Sequence, residues 1–255
     1  MVKLNRKIYE STEVVNEYAD QEQLQKPELA ILSTLKDELK HMKMLDIGVG
    51  GGRTTINFKG LVSEYIGIDY SKGMIDACLK RFPKEKNVSF KLANVVALDN
   101  FKENYFDFVL FSFNGIDCIS HDDRIKGLKE IKRVLRDEGV FVFSTHNLYN
   151  IKKLYSIKVY KNPLFFIRRM RFFCRLFLSN KFPWKLKNMD WAIVNDGVYG
   201  FRARHYYIKP CFQVKQLEEL GFKNIKLYSL EGKELDISQL DMTADPWIYY
   251  LCKNE

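Results

Sequence analysis

The chain has 255 residues, 46% hydrophobic and 29% charged, with 41 Lys and Arg against 32 Asp and Glu for a net charge of +9. That length suits one large α/β domain or a domain with a cap, and the apolar share supplies a core; no apolar run approaches the roughly 18 residues of a membrane span. The basic start Met1 to Lys7 is followed by no apolar h-region, so no signal peptide is expected, and five cysteines without CxxC spacing argue against a zinc site or disulfide framework and for a reducing cytoplasm.

Residues 1–40 read as helices. Val14, Val15 and Tyr18, then Leu24, Leu29, Ile31, Leu32, Leu35 and Leu39, fall near helical spacing. Pro27 suits the first turn of a second helix. Met44 to Ile47 is a buried strand, followed by the run Gly48-Val49-Gly50-Gly51-Gly52-Arg53 and a predicted helix of about ten residues from Thr54. Tyr65 to Asp69 is a second strand, and Ser71 caps a helix through Met74, Ile75, Cys78 and Leu79. Val88 to Leu92 and Phe106 to Phe111 are the third and fourth strands. Asp122 to Leu135 is helical, and Val140 to Ser144 is the fifth strand. After a long interruption, Val214 to Leu220 is a helix ended by Gly221, and Phe222 to Tyr228 is a strand. The last strand, Trp247 to Cys252, has no crossover helix before it and is expected to insert antiparallel.

Strands alternating with helices predict an α/β fold with a doubly wound, mostly parallel sheet of seven strands. The expected organisation is N-terminal lid helices over 1–40, a Rossmann-like domain over 41–148 and 208–255, and a helical, basic and aromatic cap over 149–207. Ligands of such sheets bind at the carboxyl ends of the strands.

The glycine run is not a dinucleotide fingerprint. Counting G-x-G-x-x-G from Gly48 places Arg53 at the third glycine, and from Gly50 it places Thr55 there. The pattern present is Asp46-x-Gly48-x-Gly50-x-Gly52. Asp69 ends the second strand 21 residues after Gly48, where an acid can accept from both hydroxyls of a ribose. No Gly-Lys-Ser/Thr follows the glycines, so a phosphate cradle is not expected.

On LDIGVGGGR, YIGIDYSKGMI and LKEIKRVLRDEGVFVFS, residues 44–145 resemble the class I S-adenosylmethionine-dependent methyltransferases, closest to the small-molecule branch. The resemblance implies S-adenosylmethionine as cofactor. It places Asp46, Gly48, Gly50 and Gly52 under the methionine part and Asp69 on the ribose. Tyr70 and Met74 border the adenosine. Asn94, beside Val95, replaces the acid that often reaches the adenine amino group, and an amide oxygen can accept the same bond. Phe111, Ser112 and Phe113 line the sulfonium. Related enzymes fold N-terminal helices over the cofactor, which makes Tyr18 the lid candidate. Arg53 can pair with the cofactor carboxylate. No metal is expected.

A hydroxyl acceptor needs a base. His146 follows the fifth strand at the site edge, His121 lies after the fourth, and His205 lies in the cap. Asn114, Asp117 and Asn147 share those loops. The acceptor's chemistry is sought in the cap. Ile151 to Lys187 holds eleven Lys or Arg and no acid, so the rest of the chain sums to 9 − 11 = −2. Arg168, Arg171 and Arg175 fall on one face of a helix starting at Asn162-Pro163. That segment reads as a solvated cap face, a site for an anionic acceptor, a contact with anionic membrane, or, ranked lower, a nucleic-acid surface. The expectation is a cytoplasmic methyltransferase acting on O or N of a small polar metabolite such as a sugar or natural product. An RNA or lipid-linked acceptor and a non-catalytic cofactor-binding subunit are the alternatives.

Overall fold

A computed structural model describes residues 2–82, 85–156, 163–180, 182–243 and 245–255. Three helices come first: α1 (Val2–Tyr9), α2 (Thr12–Ala19) and α3 (Lys26–Leu35). The alternating part follows as β1 (Lys43–Ile47), α4 (Arg53–Phe58), β2 (Glu64–Asp69), α5 (Lys72–Arg81), β3 (Val88–Leu92), β4 (Phe106–Phe111), α6 (His121–Val134) and β5 (Leu135–Asn147). The insertion holds α7 (Ile151–Leu154), α8 (Pro163–Ser179), α9 (Pro183–Lys187), β6 (Trp191–Val194), α10 (Val198–Phe201) and β7 (His205–Ile208). The chain closes with α11 (Pro210–Glu219), β8 (Phe222–Tyr228), β9 (Glu234–Leu235) and β10 (Trp247–Asn254).

The main sheet runs β3-β2-β1-β4-β5-β10-β8-β9. Pairings from β3 through β5 are parallel, and β10 lies antiparallel between β5 and β8, as the missing crossover predicts. The sheet has ten strands among the described residues, where the sequence reading gave seven. The additions are the two-residue β9 and the antiparallel pair β6 and β7, and β7 pairs with the end of β5 at His146 and Asn147. The insertion is therefore not purely helical. Trp191-Ala192-Ile193-Val194 and His205-Tyr206-Tyr207-Ile208 are rich in aromatic and β-branched residues, which is a strand signature. α4 is six residues long rather than ten.

Strand alternation sends neighbouring residues to opposite faces. Leu45, Val109, Phe141 and Phe143 pack on one face with Leu128 and Ile131 of α6 and Leu217 of α11. Met44, Phe108, Val140 and Val142 pack on the other with Ile31 and Leu35 of α3 and Phe58 of α4. This double cover leaves the carboxyl edge of the parallel strands for a site.

Two contacts bring the first helices onto that edge. Asn5, fully buried, donates to the carbonyls of Cys118 (3.0 Å) and Arg204 (2.7 Å) and accepts from the Arg204 amide. Gly51 lies so close to the end of α2 that a Cβ there would stand 2.4 Å from Ala19 Cα.

Candidate active site

The β1–α4 loop turns through left-handed backbone at Gly48 (φ 65°), Gly50 (φ 55°) and Gly52 (φ 87°), a region costly for residues with a Cβ. At the end of β2, Asp69 accepts from the amides of Gly50 (3.1 Å) and Ser71 (2.8 Å). Burial pushes its pKa up to about 6, against those amides, which favour the carboxylate. Loop and acid thus form one hydrogen-bonded unit.

A cavity of about 90 Å³ opens over this unit. Gly48, Gly50, Asp69, Tyr70 and Met74 line it, with Asn94 and Val95 from the loop after β3 and Phe111, Ser112 and Phe113 from the end of β4. Tyr18 closes it from α2, and burial pushes its phenol up. Tyr9, Ile47, Ala93 and Gly115, all within the stretches expected at the site, also belong to this lining, and Ile68, Cys118 and Ile119 join it unannounced by the sequence. The ring of Tyr9 packs edge-on against Tyr18 at 6.0 Å.

Three residues expected at the cofactor stand elsewhere. Asp46 is buried beneath the loop, accepting from the hydroxyls of Thr54 and Tyr65, and burial pushes it up to about 6. Gly52 faces the ring of Phe82 rather than the cavity. Arg53 makes a two-pronged pair with Glu28 of α3 (2.6 and 2.7 Å) and donates to Gln23 O and Ser112 Oγ. Its charge is thereby committed to tying the N-terminal helices to the glycine loop. Nothing in the local sequence of Arg53 marks Glu28, 25 positions away, as its partner.

Beyond Phe113, the carboxyl edge holds two Asp–His pairs side by side. His146, at the end of β5, places Nδ1 2.7 Å from Asp117 Oδ2, and its amide donates to the same oxygen at 2.7 Å. The other oxygen of Asp117 accepts from Arg124 Nη1 (2.8 Å) and Thr145 Oγ1 (2.6 Å). His146 Nε2 lies 3.4 Å from Asn114 Nδ2, while Asn114 Oδ1 is buried without a partner among the described residues. His205, on β7, pairs Nδ1 with Asp196 Oδ2 (2.8 Å) and faces Tyr9 OH with Nε2 (3.5 Å). The two imidazoles stack at 5.4 Å, and His146 stacks on Tyr207 at 4.6 Å. Burial lowers the pKa of His205, but hydrogen bonds to Asp196 and Cys118 outweigh it and push it up to about 10. Tyr9 and Cys118 line the cavity and touch this pair, so the pairs adjoin the cavity wall.

The other candidate residues lie apart from this centre. His121 stacks flat on Trp191 (4.1 Å) and bonds Tyr206 OH (2.8 Å), away from the cavity lining. Burial lowers its pKa. Asn147 is fully used in holding a loop: its amide donates to the carbonyls of Thr243 and Asp245 and its oxygen accepts from the Tyr149 amide. Arg168, Arg171 and Arg175 are exposed on α8 and do not line the cavity. Asn162, where that helix was expected to begin, lies outside the described residues.

Known proteins agree with this geometry. A family described as "Methyltransferase domain" matches residues 45–143. An uncharacterized methyltransferase of Bacillus subtilis, YcgJ, is 30% identical over 119 residues, covering 46% of this chain and 45% of its own. The ubiquinone biosynthesis O-methyltransferase of Pelagibacter ubique is 31% identical over 113 residues, covering 43% and 44%. The chain spans about half the length of the curated relatives it matches. The CcbJ methyltransferase of Streptomyces caelestis has the same fold, with a TM-score of 0.63, 16% identity and coverage of 94% and 96%. Residues 45–143 thus match a methyltransferase domain, the fold is that of solved methyltransferases, and the glycine-loop motif agrees with S-adenosylmethionine as the cofactor.

Proposed function

We propose that the chain transfers a methyl group from S-adenosylmethionine to an oxygen or nitrogen of a small polar acceptor such as a sugar or natural product, with His146 as general base for a hydroxyl. The observation that carries this reading is the Asp117–His146 pair at the carboxyl edge beside the cavity. The O-methyltransferase name of one relative is consistent with it.

The lining suits the cofactor. Gly48 and Gly50 leave room for close backbone approach, Asp69 can accept from ribose hydroxyls, and Ile68, Met74, Val95 and Ile119 make an apolar slot for a base. Tyr9, Tyr18, Phe111 and Phe113 offer the aromatic faces that a sulfonium favours. When bound, the cofactor supplies an electrophilic methyl group on a good leaving group. The chain's own work is then to hold the acceptor in line and accept its proton. Hydrogen bonds to Asp196 and Cys118 outweigh burial and raise the pKa of His205, which disfavours it as the base. His146 Nε2 is left for that role, with Asp117 fixing the ring through Nδ1.

Calorimetry on the wild type and Asp69→Ala tests the cofactor, and labelled methyl transfer into a fractionated small-molecule extract tests the base. Asp69→Ala should weaken S-adenosylmethionine binding at least about tenfold. His146→Ala should lower turnover by roughly 10²–10⁴ with cofactor affinity intact. Wild type that does not bind S-adenosylmethionine would sink the methyltransferase reading, and unchanged turnover in His146→Ala would clear that residue of its role.

A further inference from the structure

We propose that the outer face of α8 docks on an anionic lipid surface. Helical spacing gathers Leu164, Ile167, Arg168, Arg171, Arg175 and Leu178 on one side of this helix. All six are exposed, with Leu164 at 71% and Leu178 at 88%. Phe182 and Trp184, exposed just beyond the helix, continue the surface, and their rings stack at 4.6 Å. Of the large hydrophobic side chains exposed among the described residues, seven of sixteen lie between positions 164 and 184. A cluster of that size marks an interaction surface rather than scattered exposure.

Its charge selects the occupant. The segment from Ile151 to Lys187 carries eleven cations and no acid, while the rest of the chain sums to −2. A phosphate-bearing surface complements that field. Nucleic acid would use the cations and stack bases on aromatic rings, leaving Leu164, Ile167 and Leu178 in water. A bilayer accommodates both classes: leucine and isoleucine enter the acyl boundary, and arginine lays its aliphatic stem along it with the guanidinium at the phosphates.

The opposite side of the helix is fixed to the protein. Leu176 is buried in a core with Val194 and Tyr207, the tyrosine that stacks on His146. Just past the helix, Asn180 donates to the carbonyls of Leu176 (2.9 Å) and Asn195 (2.8 Å) and accepts from the Asn195 amide (2.7 Å). Asn195 precedes Asp196, the partner of His205. The docking face is thus built onto the strands that hold the histidine pair.

Co-sedimentation of the full chain with vesicles tests this, using phosphatidylcholine alone and phosphatidylcholine with phosphatidylglycerol. Wild type should pellet with the anionic vesicles only, and less as salt rises. The triple variant Arg168→Gln, Arg171→Gln, Arg175→Gln should lose roughly 100-fold in partitioning, at about 1 kcal/mol per cation. Leu164→Ser with Leu178→Ser should lose at least about tenfold at low and high salt alike. Circular dichroism and thermal melting confirm that both variants fold, as exposed positions permit. Equal binding to neutral vesicles, no binding at all, or wild-type binding by both variants overturns the proposal. So does retention of single-stranded RNA in place of vesicles when that retention is lost in the arginine variant.

Discussion

Replacing Glu28 by Gln strips the charge from a carboxylate that is 2% exposed and takes both prongs of Arg53. Glu28 also accepts from the Gln25 amide (2.7 Å) and the Tyr249 hydroxyl (3.0 Å), so several groups lose a charged acceptor together. Removing one member of a buried ion pair costs about 3–5 kcal/mol, because the surviving charge is left desolvated. Arg53 would keep Gln23 O at 3.1 Å, Ser112 Oγ at 3.2 Å and the Phe113 ring at 5.3 Å, and its side chain is 11% exposed. Those remnants put the expected loss at the lower end, about 3 kcal/mol. With a urea dependence of roughly 3 kcal/mol/M, the unfolding midpoint falls by about 1 M. The double variant Glu28→Leu, Arg53→Met removes both charges and should recover most of the loss, giving a coupling energy of at least about 2 kcal/mol. A midpoint shift below about 0.3 M together with additive single variants would refute the assignment of Arg53 to Glu28. The cycle also decides the role first expected of Arg53. If it held the cofactor carboxylate, Arg53→Met would abolish binding, whereas a structural tie predicts that the stability loss comes first.

Two more outcomes follow from the site. The His205–Asp196 pair raises the histidine's pKa from 6.5 to about 10, so its stabilisation is complete below pH 6.5 and is lost as pH rises through 10. The stability gap between wild type and His205→Gln, measured by urea unfolding, should narrow between pH 6.5 and 10 by on the order of 3 kcal/mol; a gap that does not change with pH would refute the pairing. Gly51→Ala forces a methyl group into the backbone of Tyr18 and Ala19 at 2.4–2.6 Å. It should destabilise the fold by about 1–3 kcal/mol and raise the Kd for S-adenosylmethionine by displacing Tyr18 from the cavity. Calorimetry and melting check this, and a variant that matches wild type in both would show that α2 does not close the site.

The sheet was legible where short apolar runs stood out between turn residues, because a strand buried on both faces leaves that mark. β6 and β7 escaped for a physical reason. Each is four residues long, and both follow the basic run Ile151 to Lys187 inside the segment read as a cap. Their place is set by pairing with the end of β5, which no local pattern announces. The cavity lining was readable because the glycine loop, Asp69 and the ends of β3 and β4 are fixed to the sheet. Asp46 and Arg53 misled because their types fit a ligand, while their partners Tyr65, Thr54 and Glu28 are brought to them only by packing. The same holds for the arginines of α8, whose regular spacing describes a helix face without saying what that face meets.

Asp117 has a consequence for the path of the proton. A carboxylate offers about four lone-pair sites. All four are taken, by Arg124, by Thr145, and by the amide and ring of His146. Every lone pair is thus committed, so Asp117 fixes the ring of His146 from behind and leaves Nε2 open on the side facing Asn114. If His146 is the base proposed above, the proton it takes up enters at Nε2, and resetting the base is coupled to departure of the methylated product or to water reaching the place it vacates.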